Sequence, residues 1–296
     1  MIKLSVIIVT YNSRKYIQGC IDSILRYNDL SDEELEIIVI DNSKDEESLV
    51  LKALISDLYG TKVQFIKNSV NGGYGQGNNL GVDVAKGDII TIVNPDVNLV
   101  KPVFSSVFSL FCKNKNLAMV GGKQFGGGNI SYNIRPEFGH YLLMPLFNIV
   151  LNKVNIYLEK FHFLSGAMLF LDRKKFLEIG KFDENLFLFA EESDITNRFL
   201  QKGYGTCYRR DMVYRHLIED RETVSEYSVL QMLVSFQKYF KKHNFNFEFY
   251  ITKKVANFVL LVSLFKILGY KYLIEKNQEY IRIFKKFKNE YIDSGS

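Results

Sequence analysis

The chain has 296 residues, 47% of them hydrophobic, and a formal charge of +5. That is enough apolar material for one large core with an appendage, and it excludes a disordered or low-complexity protein. Three isolated cysteines (Cys20, Cys112 and Cys207) show no metal-ligand spacing, which excludes a zinc module and a disulfide framework and fits a reducing cytoplasm.

Met1-Ile2-Lys3 runs straight into a strand pattern rather than a secretory leader. Leu4 to Thr10 is a near-continuous β-branched run, as expected for a central parallel strand covered on both faces. Tyr11-Asn12-Ser13 breaks it, and Ile17, Cys20, Ile21, Ile24 and Leu25 then share one helical face. Glu36 to Ile40 is a second buried strand ending at Asp41-Asn42-Ser43. Strand, helix, strand is a βαβ unit, and ligands of such sheets bind at the carboxyl ends of strands, where Tyr11, Asn12, Asp41 and Asn42 stand.

A helix is expected around 47–59 and a short strand at 63–66. Asn68 to Gly81 follows as a loop with glycine at 72, 73, 75, 77 and 81. It opens a helix whose N–H groups are placed to face phosphate, or it is a flexible connector; it lacks the Gly-Lys-Ser/Thr of a Walker loop. Asp88 to Val93 is another buried strand, ending at Asn94-Pro95-Asp96. Pro95 fixes the turn, so Asn94 and Asp96 either form an Asx-type turn or present oxygen to Mg²⁺ or Mn²⁺.

Residues 103–111 read as helix, Met119 to Lys123 as strand and turn, and Gly126-Gly127-Gly128 as a hinge. The stretch 139–161 has no clear period. Phe163 to Leu171 reads as a strand interrupted by Ser165-Gly166-Ala167, where another group approaches the backbone. The stretch Phe182 to Arg198 then places Glu191, Glu192 and Asp194 at a helix start, with Gly203 as its stop. Acids there serve as caps that suit the helix dipole. Two adjacent acids behind Phe187 and Phe189 also suit a general base with a raised pKa. Asp194 and Arg198, four apart, form a helix-surface pair. A strand from Thr206 to Tyr214 ends at Arg215-His216, where the histidine is either structural or a metal ligand at the same edge as Asp96.

Beyond 217 the chain reads as three helices, at 224–241, 253–272 and 277–288. Residues 221–296 carry thirteen Lys/Arg against seven Asp/Glu, so the rest of the chain is near neutral. No basic-plus-aromatic nucleic-acid module stands out. The longest apolar run, Val255 to Phe265, is too short to span a bilayer. Three roles stay open for this region: a helical cap on the core, a homodimer contact, or peripheral docking on the inner face of the cell membrane, with aromatics such as Phe284 and Phe287 inserting among lysines.

Taken in order, Val6 to Asn12, Val39 to Ser43, Asn71 to Asn79, Asn94-Pro95-Asp96, Gly180 to Glu184, Glu191 to Asp194 and His216 resemble the inverting family-2 glycosyltransferases with a GT-A fold, particularly the bacterial branch that includes rhamnosyltransferases. The resemblance covers residues 4 to 216. It implies an α/β GT-A catalytic domain at 1–216, with a mostly parallel central sheet flanked by helices, and a basic, aromatic helical extension at 217–296. It implies a dTDP- or UDP-sugar donor and a glycan or lipid-linked acceptor in surface polysaccharide synthesis. By the same resemblance Thr10, Tyr11 and Asn12 shape the base and ribose pocket, with Asn42 beside them. Asp41 accepts the pyrimidine N3–H, and Asn71, Gly72, Gly77 and Asn78 lie along ribose and sugar. Asn94 and Asp96 match the metal-binding Asp-x-Asp, and His216 completes the metal site. Glu192 occupies the catalytic-base position, with Glu191 as second candidate. The chain departs from the family pattern twice: Asn94 replaces the first acid, and Glu-Glu replaces the usual Glu-Asp at 191–192.

Overall fold

A computed structural model of the chain describes residues 2–126, 130–217 and 225–291. Gly127 and Gly128 of the expected hinge lie outside them. The elements begin β1 (Leu4–Thr10), α1 (Arg14–Arg26), β2 (Leu35–Asp41), α2 (Asp45–Tyr59), β3 (Val63–Lys67), α3 (Gly73–Val84) and β4 (Ile89–Val93). They continue β5 (Val97–Leu99), α4 (Phe104–Lys113), β6 (Leu117–Phe125), β7 (Tyr132–Ile134), α5 (Met144–Val154), β8 (His162–Leu164), β9 (Met168–Asp172), α6 (Arg173–Glu178), α7 (Glu191–Gln201) and β10 (Gly205–His216). Three helices end the chain: α8 (Glu226–Lys242), α9 (Phe247–Leu268) and α10 (Lys271–Tyr291).

Eight strands form one sheet in the order β3-β2-β1-β4-β9-β6-β10-β5. The βαβ half is parallel, as the continuous apolar runs require. Beyond β4 the sheet becomes mixed: β9 enters antiparallel between β4 and β6, and β5 closes the far edge antiparallel to β10. β1 shows why both faces are apolar. Leu4, Val6 and Ile8 face a core shared with α1, α2 and α4, while Ile7 faces one shared with α3, α6 and α7.

The glycine-rich stretch differs from the expected loop. From Gly73 it is helix, and its glycines face inward. A Cβ at Gly77 would lie 2.8 Å from Val9 Cγ1, so the absence of side chains lets α3 lie close on β1. The strand expected across 163–171 is two strands, because Ser165-Gly166-Ala167 carries the chain from the β7–β8 ribbon into the main sheet.

The C-terminal helices build a third core around Leu233, Phe240, Ile251, Ile283, Phe284 and Phe287, and Leu186 and Ala190 of the preceding region pack into it. The helix bounds expected from the sequence change here. The second helix ends at Gly269, whose positive φ of 75° caps it, and the third begins at Lys271. Phe284 and Phe287, which the membrane-docking alternative would insert among lipids, are buried inside the protein, as the helical-cap alternative has them. Among the described residues no helix is long and apolar enough to cross a membrane.

Candidate active site

β1, β2 and β4 end side by side and deliver the first polar groups. Thr10 Oγ1 donates to Asp41 Oδ1 at 2.9 Å, and the Ser43 hydroxyl donates to the same oxygen at 2.6 Å. The other carboxylate oxygen, Oδ2, is buried without a partner among the described residues. A buried unpaired acceptor is costly unless something donates to it. Asn12 adopts a positive φ of 52° and is held by its N–H on Ser43 Oγ, which leaves Tyr11 exposed beside it.

Asn42 is a brace: its amide donates to the Gly73 carbonyl and accepts from Asn68. The expectation that the α3 N-terminus faces phosphate is corrected. Asn71 Oδ1 takes the Gly73 N–H at 3.1 Å and the Phe187 carbonyl takes the Tyr74 N–H at 3.2 Å. Gly72 is the N-cap residue, and Gly77 and Asn78 lie beneath the surface. Asn79 explains the Gly180 to Glu184 motif. Its amide bridges the Phe182 backbone and the Glu184 carboxylate, clamping α3 to the segment that leads into α7.

Asn94-Pro95-Asp96 turns the chain from β4 into β5. Pairing of β5 with β10 sets His216 opposite Val97, so His216 Nε2 lies 3.1 Å from Asp96 Oδ1. This brings together the two residues expected to hold a metal. Among the described residues no cluster of three or more His, Cys, Asp or Glu accompanies them. One carboxylate and one imidazole, with Asn94 nearby, make too small a set for a resident ion. They fit a divalent ion that arrives with the phosphates of a substrate.

The strand register also delivers the acids. Val93 pairs with Met168, the Asn94 N–H donates to the Ala167 carbonyl at 2.9 Å, and Gly166 therefore lies beside the Asn94-Pro95-Asp96 turn. Tyr74 OH donates to the Gly166 carbonyl at 2.9 Å. A Cβ on Gly166 would fall on the Glu192 carboxylate, so glycine is what admits that side chain. The small-residue interruption seen in the sequence is thus the berth of the candidate base. Phe189 and Ala190 both take positive φ, 72° and 71°, to aim Glu191 and Glu192 into the cleft. Burial raises the pKa of both carboxyls, and in Glu191 the neighbouring Glu192 charge raises it further. Glu191 is nearly fully buried, with Oε1 unpartnered among the described residues; Glu192 is the more accessible of the two.

Asp194 is not a surface residue. Its Oδ2 pairs with Arg198, and its Oδ1 lies 2.9 Å from both Lys242 Nζ and His243 Nε2. Burial alone would raise its pKa, but the His243 hydrogen bond, Arg198 and Lys242 outweigh it and hold the group down to about 2. Local spacing carries no signal for Lys242 at the end of α8 or for His243 that caps it.

Asn94, Gly166, Glu191, Glu192 and His216 line one cleft of about 340 Å³. Its other wall is apolar, made by Phe163, Leu188 and Phe189 with Met232 and Phe236 of α8. No motif marked Met232 or Phe236, because they reach the cleft only through folding of the C-terminal helices. The site therefore has a buried polar cluster of Thr10, Asp41 and Ser43 at the ends of β1 and β2, and a half-apolar cleft at the acids that His216 also lines.

Comparison with known proteins bears on the family and the fold. The profile of glycosyl transferase family 2 matches residues 5–180. The GalNAc(5)-diNAcBac-PP-undecaprenol beta-1,3-glucosyltransferase of Campylobacter jejuni is 30% identical over 228 residues, covering 76% of this chain and 68% of that protein. The low-salt glycan biosynthesis hexosyltransferase Agl10 of Haloferax volcanii is 23% identical over 94% of this chain and 87% of its own length. Glycosyltransferase GlyG of Streptococcus pneumoniae is 30% identical over 109 residues, a match that spans 35% of this chain and 35% of that protein. Among solved structures, a mannosyltransferase of Pyrobaculum calidifontis in complex with GDP-Man and Mn²⁺ superposes with a TM-score of 0.64 at 15% identity, over 97% of this chain and 87% of that one. The architecture is the α/β GT-A fold that the sequence motifs implied, and with its profile matched over more than half its length this chain belongs to glycosyl transferase family 2.

Proposed function

We propose that the chain transfers a rhamnose or hexose, with inversion, from a dTDP- or UDP-sugar to a glycan or lipid-linked acceptor during surface polysaccharide assembly. The observation that carries the proposal is the shared cleft. Glu192, a half-buried carboxyl of raised pKa, lies with Asn94 and His216 around one space, and that space adjoins the Asp96–His216 pair.

Thr10 and Ser43 hold Asp41 so that its unpaired Oδ2 is left for a donor, and a pyrimidine N3–H supplies one. Asp96 and His216 hold the diphosphate end through Mg²⁺ or Mn²⁺, which when bound neutralises the charge of the leaving nucleotide. Glu192 takes the proton of an acceptor hydroxyl, and that oxygen attacks the anomeric carbon from the face opposite the nucleotide. Glu191, more deeply buried beside it, has its pKa raised by burial and further by the Glu192 charge. A lipid-linked acceptor brings the enzyme to the inner face of the cell membrane.

A nucleotidyltransferase is disfavoured. It needs a basic loop after β1, whereas this loop offers only Arg14, which begins α1 and lies 3.7 Å from Glu47. Thermal unfolding with UDP, dTDP, GDP or ADP, each with Mn²⁺ or EDTA, tests the reading. UDP or dTDP at a hundred times its Kd should add about 2.7 kcal/mol of stability. Loss of that gain in EDTA supports the Asp96–His216 site. Stabilisation by purine nucleotides alone would overturn the donor assignment.

A further inference from the structure

We propose that α5 and the outer side of α9 form one surface that docks onto an anionic lipid bilayer. α5 is anchored along one side only. Tyr132 OH donates to the Leu151 carbonyl at 2.7 Å, and Asn152 reaches back to the Tyr132 carbonyl. Its other side shows Leu143, Leu146, Phe147, Val150 and Val154 to solvent at helical spacing, with Leu146 61% exposed. It carries one lysine and no acid.

α9 is apolar around most of its circumference. α10 covers one side, where Phe258 stacks on Tyr280 at 5.2 Å and meets Phe284. Leu260, Leu264 and Ile267 on the other side are uncovered, Ile267 at 83%. A helix that is apolar all round is ordinarily covered on all sides by protein or lipid. The turn before α5 joins the two elements: Asn257 of α9 donates to the His140 carbonyl at 2.6 Å, and the His140 ring meets Phe249 at 5.2 Å.

Charge identifies the occupant. Lys253 and Lys266 of α9 and Lys271 and Lys276 of α10 lie exposed around this surface with Tyr270 and Tyr272, against the acid Glu275, which pairs with Lys271 at 3.9 Å. This is the pattern of an element lying in the interface of an anionic membrane, lysines at the headgroups and apolar side chains below them. A second copy placed face to face would oppose like charges. With no described helix able to span, the element lies on the membrane rather than through it. The placement has a consequence for the site. α5 packs on the β7–β8 ribbon, which gives Asn133 and Phe163 to the cleft, and α9 packs against α8, which gives Met232 and Phe236. Docking therefore sets the cleft at the bilayer, where a lipid-linked acceptor stands. Only that purpose rests on the transferase reading, and lipid binding is measured without sugar transfer, so either can fail alone.

The chain has no tryptophan, so one introduced residue reports its own surroundings. The full chain carrying Phe147→Trp is mixed with vesicles of phosphatidylcholine and phosphatidylglycerol at 7:3. A blue shift, quenching by brominated acyl chains and weakening at high salt are expected, with far less response to phosphatidylcholine alone. Leu49→Trp, on exposed α2, should show none. Leu146→Asp or Ile267→Asp should lower sedimentation with the anionic vesicles about tenfold or more. No shift with Phe147→Trp, or an equal shift with Leu49→Trp, overturns the proposal. Light scattering that finds a stable dimer, broken by Leu146→Asp, together with no vesicle binding, assigns the surface to a second copy and overturns it as well.

Discussion

Gly166 and Glu192 divide one volume between them, and this makes the candidate base testable by two substitutions of opposite kind. Glu192→Gln keeps the shape and removes the proton acceptor, so turnover should fall about 10²–10⁴-fold while nucleotide affinity holds. Gly166→Ala keeps the acid but puts a methyl group where its carboxylate lies, and about a tenfold to hundredfold loss in kcat is expected from the displaced base. Initial rates paired with nucleotide titration separate these outcomes; an unaffected kcat in Glu192→Gln would move the role to Glu191. Asp194 acts on stability instead. Its carboxyl is held down to about 2 from an ordinary 3.8, so the folded state gives up that proton more readily. The resulting stabilisation, about 2 kcal/mol, is complete above the ordinary value and is lost as pH falls from about 4 towards 2. Glu191 and Glu192, with raised values, tilt the other way, losing stability as pH rises above their ordinary 4.5. The difference between wild type and Asp194→Asn in urea unfolding therefore isolates the Asp194 limb: it should shrink across pH 4 to 2, and a gap independent of pH would refute the assignment.

α3 shows what a periodic reading of the sequence captures and what it misses. Leu4 to Thr10, Glu36 to Ile40 and Asp88 to Val93 were legible because both faces of those strands are buried, leaving an unbroken apolar signature. Asn68 to Gly81 looked like a loop because glycine is a poor helix former, about 1 kcal/mol worse than alanine at each position. Local propensity lost to packing here: Gly77 lies against Val9 and Gly81 against Ile7, so the helix exists where only hydrogen fits between it and β1. Gly81→Ala should accordingly destabilise the fold by about 1–3 kcal/mol, although alanine favours helix. A lowered urea midpoint with unchanged slope is the expected result. A midpoint that rises would mean that Ile7 yields and that propensity governs the position. The same competition explains Gly166, legible as a break in a strand but not as the seat of Glu192, which lies 26 positions further along the chain.

At the scale of the whole molecule, the sequence motifs end at His216 but the interactions do not. The 217 boundary was read from where family motifs stop, and composition changes there too. The packing crosses it. Leu186 and Ala190 belong to the C-terminal core, Ser235 Oγ donates to the Leu188 carbonyl at 2.7 Å, and Tyr239 OH donates to Glu137 at 2.8 Å. Lys242 reaches both Asp183 and Asp194, the latter fully buried. Such pairings between distant positions leave no trace in local spacing, which is why α8 read only as an amphipathic helix. They predict one cooperative unit. The full chain should therefore melt in a single calorimetric transition whose van't Hoff and calorimetric enthalpies agree. Lys242 is one-third exposed and Asp194 keeps Arg198 and His243 without it, so removing Lys242 should cost about 1 kcal/mol. Lys242→Met should lower the Tm of that one transition rather than split it, and residues 1–216 expressed alone should lack a cooperative transition. Two resolved transitions in the full chain, with only the smaller shifted by Lys242→Met, would show that the catalytic part stands by itself and that the α8 contacts are incidental to it.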